Sequence, residues 1–289
     1  MGKVCFPFPL FPRKEIMQEH AAKIGAIIQL QVTRPPAPWK NGPAPLHVRR
    51  YAAVDNPHEL LHILPQIPRR QNHTFEIIQK RKPCKICMDF DNAAGLPPGF
   101  KDRGDFTARV EAALGAIMQA DFGISMEPAD YVWVFTDYKT KPKFSAHLVV
   151  HKLMPDGKLL CVPHHEKGDT HDGSMYFFNR MLQQMPELDG GLLDPRIYST
   201  DREFRLPGAT KAPNGDPLKP PLDQYDTWKP GTAYIATGHS LEEAMVGYLG
   251  THEPHVLSLP TADRSGVTSK KNGNPAVSAK GPPPGLTLG

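Results

Sequence analysis

The chain has 289 residues, with 32 prolines, four cysteines and a formal net charge of +4. Four cysteines over this length argue against a disulfide-stapled scaffold and for a reducing compartment. No apolar run reaches the roughly 18 residues a membrane-spanning helix needs, and the mild positive charge is compatible with nucleic acid without being evidence for it.

The opening run Met1 to Leu10 is apolar but broken by proline and lacks a small-residue cleavage site. No signal peptide is expected, and the expected location is intracellular: cytoplasm, nucleus or a viral replication site. Glu15 to Ile28 has helical spacing, with Ile16, Ala21, Ile24, Ile27 and Ile28 apolar. A Pro/Gly-rich linker at 34–46 leads to an expected strand, Leu46 to Val54, carrying Arg49 and Arg50, and then to a short helix, Pro57 to Leu64. Thr74 to Ile78 and Lys85 to Asp91 read as strands joined by the basic turn Lys80-Arg81-Lys82-Pro83. Phe106 to Phe122 predicts a helix whose stripe Val110, Ala113, Leu114, Ile117 and Met118 faces a core. Tyr131 to Thr136 and Phe144 to Val150 predict a hairpin. Gly173 to Met185 reads as a helix, Ile197 to Leu206 as strand-like, and Leu241 to Leu249 as a helix. From Ser258 to Gly289 the chain is rich in Ser, Gly, Pro and Lys, and a disordered tail is expected. Strands and helices alternate without the period of a doubly wound sheet, so the expected class is mixed α+β.

Three segments carry chemistry. As a strand, Lys85 to Asp91 puts Lys85, Cys87, Asp89 and Asp91 on one face and Ile86, Met88 and Phe90 on the other. Asp89 and Asp91 then stand about 6–7 Å apart at Cα, an oxygen-rich, negative arrangement suited to hard divalent cations. Lys143-Phe144-Ser145-Ala146-His147 alternates in the same way, grouping Lys143, Ser145 and His147 as partners for a triphosphate. In Leu192 to Pro207, Asp194 could complete a three-carboxylate metal site, while the guanidinium forks of Arg202 and Arg205 match phosphate oxygens. Cys84-x-x-Cys87, with Cys161, His164 and His165 downstream, has partial zinc-ligand spacing. The matching second cysteine pair is missing, so no zinc is expected.

In this combination and order the segments resemble the catalytic core of the archaeo-eukaryotic primase superfamily, and within it the eukaryotic-type PrimPol (primase-polymerase) family. The acidic pair Asp89/Asp91, then Ser145-x-His147, then Asp194 follow the superfamily order. The flanks add His73-Thr74-Phe75-Glu76-Ile77-Ile78 ahead of Cys84-Lys85, then Lys143-Phe144-Ser145-x-His147. They also add Asp194 with Tyr198, Arg202, Phe204, Arg205 and Leu206, and the early Phe11-Pro12-Arg13. The resemblance implies a core over 1–257, with an N-terminal module at about 1–72 and a catalytic module at about 73–257. These are two small α/β modules, one RRM-like, with a cleft between them. It implies template-directed nucleotidyl transfer in DNA replication or damage tolerance. Two Mg²⁺ or Mn²⁺ ions would lie on Asp89, Asp91 and Asp194, and the nucleotide on Lys143, Ser145, His147, Arg202 and Arg205. Phe75 would sit near the sugar, and Arg13 and Arg49 or Arg50 would touch template or nucleotide. DNA template, primer and nucleoside triphosphates are the implied partners, with a helicase or single-strand binding protein alongside and no membrane.

Two features depart from the family. Asp201 and Glu203 replace its asparagines, adding negative charge beside a phosphate site unless Arg205 or Lys211 compensates. No cysteine follows Cys161, so the family's C-terminal zinc module is not expected, and chain extension is better supported than primer initiation. Two other functions compete: a metal-dependent nuclease or phosphodiesterase using Asp89, Asp91, His147 and His151, and a non-catalytic replication subunit that binds single-stranded nucleic acid.

Overall fold

A computed structural model describes residues 8–34, 48–67, 73–79, 82–137, 142–163, 173–198, 201–209, 232–236 and 238–260. The fold is mixed α+β, with two four-stranded antiparallel sheets and one small sheet, the larger two within one compact unit that runs to Leu259.

The first sheet has the order β2-β1-β3-β9, with β1 at Ile28–Arg34, β2 at Val48–Val54, β3 at Thr74–Ile78 and β9 at Arg202–Arg205. Alternation along β1 and β2 sends Ile28, Leu30, Val32, Ala52 and Val54 to one face, where they meet Leu60 of helix α2 (Pro57–Ile63) and Leu64 just beyond it. Ala53 and Ile77 turn to the other face and meet Met17 and Ala21 of helix α1 (Lys14–Ile24). The boundary expected near residue 72 falls just before β3, yet β3 and β9 complete this sheet by pairing beside β1. Backbone hydrogen bonding, blind to distance along the chain, thus draws two later strands into the N-terminal layer.

The second sheet has the order β10-β6-β7-β5, with β5 at Cys87–Asn92, β6 at Tyr131–Asp137, β7 at Phe144–Val150 and β10 at Thr232–Ile235. Helix α3 (Arg103–Phe122) lays Phe106, Val110, Leu114, Ile117 and Met118 into the core beneath it. Phe106 meets Phe90 of β5 and Phe144 of β7 edge-on, with ring centroids 5.2 and 4.9 Å away. Helix α4 (Ser174–Gln184) is tied to the end of α3, where Asp121 accepts hydrogen bonds from Arg180 and Tyr176. The small sheet holds β4 (Pro83–Cys84), β8 (Leu159–Pro163) and β11 (Pro254–Val256), with β8 in the middle. Among the described residues no helix is long and apolar enough to cross a membrane.

Four elements differ from the sequence expectation. Helix α1 ends at Ile24 because Gly25 takes a left-handed conformation, φ 67°, so Ile28 opens β1 instead of closing the helix. The helix expected over 241–249 stops at Ala244, as α5 (Leu241–Ala244). Outside side chains take its backbone groups: Lys85 Nζ donates to the Glu242 and Glu243 carbonyls, and the Glu76 carboxylate accepts the Val246 and Gly247 N–H groups. Lys85 itself stands outside β5, since its N–H bonds the Val246 carbonyl. The segment 197–206 divides into a 3₁₀ turn, Pro195–Tyr198, and β9. Most of the 34–46 linker, Lys80 and Arg81 of the basic turn, Lys211 and nearly all of the expected tail lie outside the described residues.

Candidate active site

Strand pairing brings the first two segments together. In the β5–β7 register Asp89 lies opposite His147 and Asp91 opposite Ser145, so both acids and the Ser-x-His pair share one face. The intervening Met88 and Phe90 point the other way and are fully buried. Lys143, just ahead of β7, places Nζ 2.7 Å from each oxygen of Asp91. His147 Nε2 lies 3.4 Å from Asp89 Oδ1, and its ring packs against Phe204 with centroids 4.3 Å apart.

Asp194 arrives by edge pairing. The Asp91 N–H donates to the Leu192 carbonyl and the Asp194 N–H donates to the Asp89 carbonyl, both at 2.8 Å, with Leu193 bridging to Phe90. The segment 192–194 is thus a short extra strand on the free edge of β5, which sets the third acid beside the first two. The Asp194 carboxylate is turned onto Arg196: Oδ1 accepts the Arg196 backbone N–H and Nε, both at 2.9 Å. Oδ2 lies 3.0 Å from Nε and 2.8 Å from Nη2.

Strand β9 supplies the opposite wall. Arg205 sits across from Phe75 in the β3–β9 register, and its Nη1 donates to Thr136 Oγ1 at 3.3 Å. Arg202 keeps a buried Nε without a hydrogen-bond partner. A cavity of about 440 Å³ is lined by Phe75, Asp89, Asp91, Lys143, Ser145, His147, Asp194, Arg202 and Arg205 together. Of the arginines expected nearby, Arg49 lines this cavity and Arg50 does not, because neighbouring residues of a strand face opposite sides. Arg13 stands exposed at the N-cap of α1 and is likewise off the cavity.

The added acids have local partners among the described residues, and Lys211 lies outside those residues. Asp201 accepts a hydrogen bond from Gln18 Nε2 at 3.2 Å and lies 3.7 Å from Lys14 Nζ. Glu203 lies 3.8 Å from Arg49. Asp201 and Glu203 themselves line the cavity, as do Arg196, Ile197 and Phe204. Arg196 carries no sequence signal beyond its place two residues after Asp194. His151, the nuclease candidate, lies outside the cavity, with its Nε2 3.9 Å from Glu243.

Burial pushes the Asp89 carboxyl up to about 7; the neighbouring Asp91 and Asp194 add to this, and Arg205 and Lys143 oppose it. Burial, then Arg205, pushes His147 down to about 3, so its imidazole is neutral. Burial would raise Asp194, but the Arg196 side chain and backbone hold it below the usual carboxylate range.

The donors fit a hard divalent cation: all three acids offer oxygen, and Asp89 Oδ1 is buried without a hydrogen bond. Among the described residues no three His, Cys, Asp or Glu side chains are already gathered around one point. Cys84, Cys87 and Cys161 are buried cysteines outside any disulfide, and His164 and His165 lie outside the described residues. No protein-family model matches the sequence, and no curated protein matches it.

Proposed function

We propose that this chain is a DNA-directed primase-polymerase, joining nucleotides from nucleoside triphosphates to a primer 3′-hydroxyl opposite a template, in replication or damage tolerance. The observation that carries the reading is the polarity of the cavity. Asp89, Asp91 and Asp194 form one wall, and Lys143, Arg202 and Arg205 converge from other segments. A purely acidic cleft would repel a triphosphate, and a purely basic one would not hold a divalent cation.

Mg²⁺ or Mn²⁺ on Asp89, Asp91 and Asp194 would stabilise the attacking and leaving oxygens of an in-line displacement. The chain's own groups do the rest. Arg202 and Arg205 offer guanidinium donors to phosphate oxygens, with the unpartnered Arg202 Nε ready to donate. Ser145 and the neutral His147 add uncharged hydrogen-bonding groups, which orient phosphate without cancelling the acids' charge. Phe75 gives a flat apolar wall beside Arg205, suited to a sugar. The nuclease reading is weaker, because His151 faces Glu243 and not the acids.

Protein incubated with Mn²⁺, labelled primer–template and dNTPs should extend the primer, and Asp89→Ala and Asp91→Ala should abolish extension. Primer shortening without dNTPs would indicate the nuclease. Binding of single strands with neither reaction would indicate the non-catalytic subunit.

A further inference from the structure

The three acids of the cavity are held in three different ways. Asp89 Oδ1 is buried and accepts no hydrogen bond. Asp91 is paired with Lys143. Asp194 is chelated: the Arg196 fork and backbone N–H occupy both oxygens. A carboxylate gripped through both oxygens by a guanidinium has little capacity left for a cation. The two partners also differ in burial, since the Arg196 side chain is 74% exposed and that of Asp194 8% exposed. The arginine can therefore leave by rotating its side chain into solvent, while the carboxylate stays where the Asp89 and Leu192 backbone pairing holds it. The backbone N–H on Oδ1 can remain, because a carboxylate oxygen has a second lone pair.

We propose that Arg196 is a resident counter-cation at Asp194, which balances the carboxylate in the metal-free protein and must be displaced before a metal ion binds there. The inference rests on the reading of Asp194 as a metal ligand. It makes loading ordered. An ion at Asp89 meets an oxygen that accepts no hydrogen bond, whereas an ion that needs Asp194 must first displace a guanidinium. The released Arg196 remains at the cavity wall, where its charge can meet a phosphate.

The test is Mn²⁺ binding to the full chain without nucleotide, read from the free-Mn²⁺ EPR signal, for wild type, R196A, R196Q, R196K and the double variant R196A/D194N. Removing the guanidinium should tighten Mn²⁺ binding about fivefold. R196K, which keeps charge but loses the fork, should fall between wild type and R196A. Adding D194N to R196A should erase the gain. Wild type binding Mn²⁺ with R196A and R196Q no tighter would overturn the inference and leave the metal-dependent reading intact. No Mn²⁺ bound by any variant would overturn both. The variants should melt slightly below wild type, because the buried Asp194 loses its balancing charge, and R196Q reports the same loss of charge should R196A fold poorly.

Discussion

Asp89 on β5 and His147 on β7 face each other directly across the strand pair, with Nε2 3.4 Å from Oδ1, a distance set by backbone register and not by a charge pair, since the imidazole is neutral. Asp89→Asn keeps the shape and removes the charge. Primer extension should fall by about 10³-fold or more, as for loss of a group central to charge stabilisation. Because Asp89 Oδ1 is buried without a hydrogen bond, the variant should melt no lower than wild type. Extension kinetics and a thermal melt check the pair of outcomes.

Gly95 has φ 103°, and a Cβ there would lie 2.6 Å from the Pro142 carbonyl oxygen. Gly95→Ala should strain the turn after β5 and push back the residue before Lys143, at a cost of about 1–3 kcal/mol. Lys143 is thereby displaced from Asp91, so KM for the nucleotide should rise more than kcat falls. Urea unfolding and steady-state kinetics separate the two effects.

Lys85 is fully buried and Glu76 is 1% exposed. Between them they clamp the chain after α5. Burial pushes Lys85 down to about 8, with Glu76 and then Cys161 opposing. Lys85→Met strips the Glu242 and Glu243 carbonyls of their donor and leaves Glu76 without its nearby cation, at a cost of about 3–5 kcal/mol. The pair Glu76→Gln/Lys85→Met should be less unstable than the sum of its single variants by about 1 kcal/mol or more. A double-mutant cycle in urea measures this.

Burial, then Lys85, pushes His151 down to about 4, with Glu243 opposing and His252 and His239 adding to the effect. Its folded-state pKa is thus below the unfolded 6.5, so the unfolded chain binds the extra proton between those values. Stability present above pH 6.5 should be lost as pH falls from there toward 4. The His151 side chain is 17% exposed, and after allowance for solvent screening the loss is about 1 kcal/mol. His151→Gln should flatten that part of the curve in urea melts between pH 7.5 and 5.

The period-two pattern made Asp89, Asp91, Lys143, Ser145 and His147 legible, because alternation in a strand is local. The spacing of Arg202 and Arg205 was equally visible. Choosing Arg49 over Arg50 requires knowing which face of β2 looks toward the cavity, and that is settled by neighbours distant in sequence. The helix expected over 241–249 fails for the same reason: Glu76 and Lys85 satisfy backbone groups that local propensity would assign to the helix. Arg196 carried no pattern at all, since its role depends on where the 192–194 segment lands.

That landing has a second effect. β5 is an edge strand, and an unpaired edge is a template on which another chain can add. The pairing of residues 192–194 with Asp89, Phe90 and Asp91 seals part of that edge with the same backbone that delivers the third acid. Damage to the Asp194 loop should therefore uncover a self-association surface, so that inactivity and aggregation would arise from one lesion.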